Sequence, residues 1–185
     1  MTRHSSREEA RKLGAFLRMR VNAQAADRKD RAAWTTAVQH SLDEYRKEQN
    51  WAGSEVLPPP NYEFPDQGRK DSFLLDFVVW RRDIDGDKEG AWIACESEWN
   101  LDRASVVKDF QKLLSFRAPY KIMVYDVKYK QKLSAQCREE FEATLSKFSW
   151  HLEDEVYIFI EFLDGERIAN VYTCVPSESS TLTPV

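Results

Sequence analysis

The chain predicts an α/β fold, a sheet with helices laid on it, and three features of its 185 residues carry that expectation. Two apolar runs of strand length, 73–80 and 91–99, flank a segment rich in turn residues. A helical stripe follows over 102–116, and beyond Pro119 comes a compact apolar strand, 120–125. A hydrophobic content of 42% suits one domain with a sizeable core and leaves no comfortable room for a second.

Taken in order, residues 6–21 place Ala10, Leu13, Phe16 and Leu17 on one helical face, either packed on the domain or forming an arm on a partner subunit. Residues 30–48 repeat the pattern more clearly with Trp34, Val38, Leu42 and Tyr45, a face fit to lie on a sheet. Pro58, Pro59, Pro60 and Pro65 then favour an extended connection, with a short edge strand around Tyr62. Trp51 and Tyr62 could stack on bases but read more simply as packing anchors. A turn near Gly86 would set Asp76 opposite Glu96, and Trp80 opposite Trp92. Asp102 can cap the next helix, whose inner face is Val106, Val107, Phe110, Leu113 and Leu114. A further helix over 133–150 turns Phe141, Leu145 and Phe148 inward, and a hairpin of 156–163 and 166–174 closes around Asp164 and Gly165. Glu161 within it reads as an isolated edge-strand acid, and the polar end from 177 onward is expected to fray.

Glu96 and Glu98 stand two residues apart in a run otherwise fit for burial, so they project to the same side of a strand. Holding two like charges there requires solvent, cationic side chains or a bound cation. Asp76 on the neighbouring strand would face Glu96, a like-charge pair that needs a counter-charge. Glu-x-Glu alone also marks the solvent face of many edge strands. With an acid on the adjacent apolar strand, and a helix and strand following, the three acids point instead to a metal site on a sheet.

Over about residues 31–126 this constellation resembles the PD-(D/E)XK nuclease superfamily, whose core is a helix, three strands, a helix and a fourth strand. The resemblance implies a restriction-endonuclease-like core, a mixed β-sheet flanked by helices (αβββαβ), here with a C-terminal helix and β-hairpin extension. Residues 1–30 would be a basic helical arm, 31–175 the nuclease-like domain and 176–185 a flexible tail. It also implies that Asp76, Glu96 and the Ser97 backbone carbonyl bind a divalent cation. Where the family usually has lysine, two residues after the second acid, this chain has Glu98; that departure resembles the Glu-x-Glu variant of BamHI-like restriction endonucleases. Related families supply the cationic side chain from the following helix, which favours Lys112 over Lys108, with Gln111 a weaker alternative. The position of Lys112 equally suits a solvated lysine with its stem along the apolar face. The first core helix can add an acid, which would be Glu44, although an ordinary surface acid is the expectation there. Pro65-Asp66 has no apolar strand around it and receives no catalytic role.

A phosphodiester resists attack until its charge is neutralised and a hydroxide is placed in line. Hard oxygen ligands suit magnesium (or manganese), Glu98 would orient the attacking water or share a second ion, and Lys112 would neutralise developing charge. The expected activity is metal-dependent hydrolysis of nucleic acid, DNA ahead of RNA, with Asp76, Glu96, Glu98 and Lys112 as catalytic residues. Two alternatives stay open: a catalytically silent nuclease-fold binding module, and an unrelated α/β interaction protein whose acids solvate a sheet face. By analogy, a homodimer would match two cuts in a duplex.

Other chemistries have less support. His4, His40 and His151 are scattered, Cys95, Cys137 and Cys174 form no Cys-x-x-Cys pair, and no phosphate loop occurs. Asp83, Asp85 and Asp87 misplace Gly86 for a calcium loop. A net charge of -4 argues against a nucleic-acid-coating protein but not against a nuclease, for which local basic patches matter more. Such patches are Arg3, Arg7, Arg11, Lys12, Arg18, Arg20, Arg28, Lys29 and Arg31, and, separately, Lys121, Lys128, Lys130 and Lys132; each residue also reads as a solvated helix or strand end. No signal peptide or membrane-spanning run is recognisable, so no membrane partner and a cytoplasmic location are expected.

Overall fold

The computed structural model describes residues 3–25, 31–49, 55–56, 75–82, 88–100, 102–128, 130–163 and 168–185. Its middle layer is one mixed sheet whose strands lie side by side in chain order: β1 (Glu55–Val56), β2 (Phe77–Arg82), β3 (Lys88–Glu98), β4 (Tyr120–Asp126), β5 (Val156–Leu163), β6 (Ile168–Val175) and β7 (Ser179–Pro184). The three central strands β3, β4 and β5 run parallel, and every outer pair is antiparallel. Parallel neighbours need a crossover, which α3 (Arg103–Leu114) and α4 (Gln131–Lys147) supply. Helices α1 (Arg3–Ala25) and α2 (Arg31–Glu48) precede the sheet.

The central strands are buried on both faces, which is why they read as continuous apolar runs rather than alternating ones. Ile122, Val124, Ile158 and Ile160 pack with α1 and α2, while Met123, Tyr125, Tyr157 and Phe159 pack with α3 and α4. The result is three layers around two apolar seams.

Helix α1 is not an arm over its described side chains. Ala10, Leu13, Leu17 and Val21 are fully buried against β5 and β6, and a Cβ added at Gly14 would lie 2.8 Å from Val171 Cγ1 and 3.4 Å from Ile158 Cγ2. Glycine is what lets this helix approach the sheet so closely. The expected flexible tail is likewise ordered from Ser179, because Thr181, Leu182 and Thr183 add a strand to the β6 edge. Leu182 is buried there, and its N–H donates to Glu142 Oε1 on α4 at 2.8 Å.

The expected register of β2 and β3 holds from Phe77↔Cys95 to Val79↔Ile93, then slips at a bulge. Trp80 consequently pairs with Ala91 rather than with Trp92, whose ring instead meets Tyr120 edge-on at 5.9 Å. Asp102 caps α3 as expected, its Oδ1 accepting from Ser105 N–H at 2.9 Å. The edge strand expected around Tyr62, the turns at Gly86 and at Asp164-Gly165, and Trp51, Pro65 and Asp66 lie outside the described residues.

Candidate active site

Strand β3 carries its alternation to its carboxyl end. Ile93 and Cys95 face α1 and α2, so Glu96 faces α3 and Ser97 turns back toward α2. Asp76 stands one residue before β2, and since Phe77 pairs with Cys95 it comes level with this end of β3. Both Ser97 donors converge on it: the backbone N–H and Oγ each lie 2.7 Å from Asp76 Oδ2. The neighbouring β4 runs parallel with Glu96↔Met123 and Glu98↔Tyr125, so the acids sit at the carboxyl ends of parallel strands, where α/β sheets commonly place ligands.

Helix α3 lays Lys112 over Glu96. Its Nζ is 3.4 Å from Glu96 Oε1 and 3.5 Å from Oε2, and 2.7 Å from Asp109 Oδ1 one turn earlier. Glu98 accepts the Asn100 N–H on Oε1 at 2.6 Å, and the Asp109 carboxyl is near enough to raise its pKa. Asp76, Glu96, Glu98 and Lys112 are therefore brought together. Lys108 and Gln111 are exposed, and Glu44 belongs to the α1–α2 seam, 3.5 Å from Arg20 Nε. The α2 side chain that does reach this place is Thr35, whose Oγ1 accepts the Trp99 indole N–H at 2.9 Å and lies 3.5 Å from Ser97 Oγ.

Burial governs the charges. Glu96 is 1% exposed, and this desolvation, reinforced by Asp76 and only partly opposed by Lys112, pushes its carboxyl up to about 9. Glu96 accordingly carries a proton at neutral pH. Asp76 is also raised by burial, against the pull of the two Ser97 hydrogen bonds and of Lys112. Glu98 is raised by burial, with Asp109 adding to the shift and the Asn100 N–H opposing it. Burial works against the ammonium of Lys112, but Asp109 and Glu96 outweigh it and hold the group charged.

Glu96 Oε1 is buried and, apart from the Lys112 ammonium 3.4 Å away, meets no hydrogen-bond partner among the described residues, which leaves it room to take an ion. With Asp76 it offers the hard oxygen donors that magnesium takes. Among the described residues, no three carboxylate, histidine or cysteine side chains are already gathered around one point, so the ammonium of Lys112 is the cation these acids meet here.

Asp109 is the residue the sequence pattern did not single out. Its signal was available, since it lies three positions before Lys112 on a helix and must share its face. Thr35 had no such signal, because its contact spans 62 positions of the chain. Two other expectations are corrected. Glu161 is no edge-strand acid: β5 is interior, and the buried carboxylate accepts Tyr125 Oη at 3.0 Å and Asn170 Nδ2 at 3.2 Å. Lys121 belongs to no surface patch, since the central strand β4 buries it against Glu155 at 2.9 Å.

Comparison of the chain with protein-family models, with curated proteins and with solved structures finds no match. No helix among the described residues is long and apolar enough to cross a membrane.

Proposed function

We propose that this protein is a magnesium-dependent nuclease that hydrolyses phosphodiester bonds of nucleic acid, DNA ahead of RNA. The observation that carries the reading is the approach of Asp76, from just before β2, and of Lys112, from α3, to the buried Glu96, with Glu98 two residues along the same face of β3. The order α2, β1, β2, β3, α3, β4, with these acids at the carboxyl end of β3, supports a restriction-endonuclease-like core.

Asp76, Glu96 and the Ser97 carbonyl would hold magnesium or manganese, which supplies Lewis acidity toward the phosphate and a more acidic water. Glu96 has to release its proton to serve as a ligand, so ligation is favoured as pH rises. Lys112, charged and steered by Asp109, is placed to neutralise a phosphate oxygen. Glu98, anchored through Oε1, is placed to accept a proton from an attacking water. Two such sites in a homodimer would serve the two strands of a duplex.

A second reading, a catalytically silent member of the same fold that binds nucleic acid or protein, is favoured by the way Lys112 already stands over Glu96. Cleavage assays on single- and double-stranded DNA and RNA, with magnesium, manganese or EDTA, separate the two. The nuclease reading expects cleavage that EDTA and Glu96→Ala abolish. Activity indifferent to both would overturn it, and cation binding without cleavage would establish the silent alternative.

A further inference from the structure

Asp76 stands outside the β2 ladder, where backbone pairing does not orient its side chain. Hydrogen bonds do so instead. Ser97 N–H and Oγ both reach Oδ2 at 2.7 Å, while Oδ1 takes no hydrogen bond among the described residues. A bond from the Ser97 hydroxyl to a carboxylate is of the strong, charge-assisted kind.

The Ser97 hydroxyl is approached in turn from the α2 side of the sheet. The Trp99 indole can only donate, and it donates to Thr35 Oγ1 at 2.9 Å. Because Ser97 gives its proton to Asp76, its oxygen is left to accept, and Thr35 Oγ1, 3.5 Å away, is the donor of that long contact. The row begins at a group that can only donate and ends at the Asp76 carboxyl, which accepts from Ser97, so each hydroxyl has one consistent orientation. Trp99 is itself held in place, 8% exposed and packed at a tilt against Trp34 at 5.3 Å and Phe162 at 5.9 Å.

We propose that the Ser97 side chain, backed by Thr35 and Trp99, is a positioning device for Asp76, fixing Oδ2 so that Oδ1 is left for the divalent cation. This assigns α2 a part in the site through a hydroxyl rather than an acid. It rests on the nuclease reading, because the cation is the one that reading requires. Asp76 is thus gripped from the α2 face and Glu96 attended from the α3 face, so the two ligands are oriented by independent parts of the core.

The test is calorimetric titration of manganese into the full chain as wild type, Ser97→Ala, Ser97→Thr, Thr35→Val and Trp99→Phe, with thermal unfolding in chelator alongside. Losing an outer hydrogen-bond partner should weaken cation affinity about 10- to 100-fold in Ser97→Ala, while Ser97→Thr, which keeps the hydroxyl, stays within about threefold of wild type. Thr35→Val and Trp99→Phe should weaken it in the same direction but less, and they report on the relay if Ser97→Ala folds poorly. Equal affinity in wild type and Ser97→Ala overturns the inference alone, as does equal weakening in Ser97→Ala and Ser97→Thr, which would indicate packing rather than the hydroxyl. A wild type that takes up no manganese overturns the nuclease reading and this inference together.

Discussion

Replacing Glu96 with glutamine should stabilise the metal-free protein, increasingly so as pH rises. The folded-state carboxyl titrates at about 9 against 4.5 for the ordinary group, so between those values the folded state binds more protons than the unfolded state. Stability from this group is therefore full below the ordinary value and lost progressively as pH climbs toward 9. Linkage over that gap gives a loss of about 1 kcal/mol by pH 5 and about 4 kcal/mol by pH 7.5. Glutamine mimics the protonated acid and has no such dependence. Urea unfolding in EDTA at pH 5 and pH 7.5 should show the advantage of Glu96→Gln growing by about 3 kcal/mol between the two. Parallel curves for the two proteins would refute the argument, because they would mean that Glu96 is not held protonated by its surroundings. Magnesium should reverse the trend in wild type, stabilising it more at pH 8 than at pH 6, since only the ionised acid is a ligand.

Lys112→Met should leave the fold intact and lower cleavage about 100-fold with little change in KM, as expected for a charge used mainly in the transition state; single-turnover kinetics would show it, and unchanged kcat would assign Lys112 to the surface. Gly14→Ala should destabilise the protein by about 1 to 3 kcal/mol, because the new methyl meets Val171 Cγ1 at 2.8 Å, and Val171→Ala should recover part of the loss in denaturant titrations. Lys121→Met alone should cost about 3 kcal/mol by removing the buried cation from Glu155, which keeps the Leu152 N–H and His151 contacts, whereas pairing it with Glu155→Leu should cost less than the sum of the two single changes in a double-mutant cycle.

Much of the sheet was legible because central strands announce themselves. Residues 120–125 and 156–163 are apolar without alternation, as strands covered on both faces must be. Asp76 and Glu96 could be paired from strand periodicity alone, and Lys112 from its place at the border of the helical stripe. Periodicity fails where a ladder slips, so the partner of Trp80 was misjudged. It also cannot say what an amphipathic face lies against, which is why α1 read as an arm although it covers β5 and β6. Lys121 and Glu161 looked like surface charges because a sequence does not reveal that a buried charged or polar partner waits on the next element. Thr35 shows the limit most plainly: a hydroxyl on one helix gains its role only once Ser97 and Trp99 are folded beside it.

The seat of α1 against β5 and β6 has a consequence for how the molecule is made. The helix precedes in chain order the strands it covers, with β4 and α4 among the elements between them, so its apolar stripe must wait for those strands during synthesis. During that interval Leu13 and Leu17 have no permanent neighbour on the sheet, and a holding chaperone or early pairing with α2 is what would shield them. Seating α1 on β5 and β6 couples elements far apart in the chain into one cooperative unit, so damage near Val171 would be felt at Gly14.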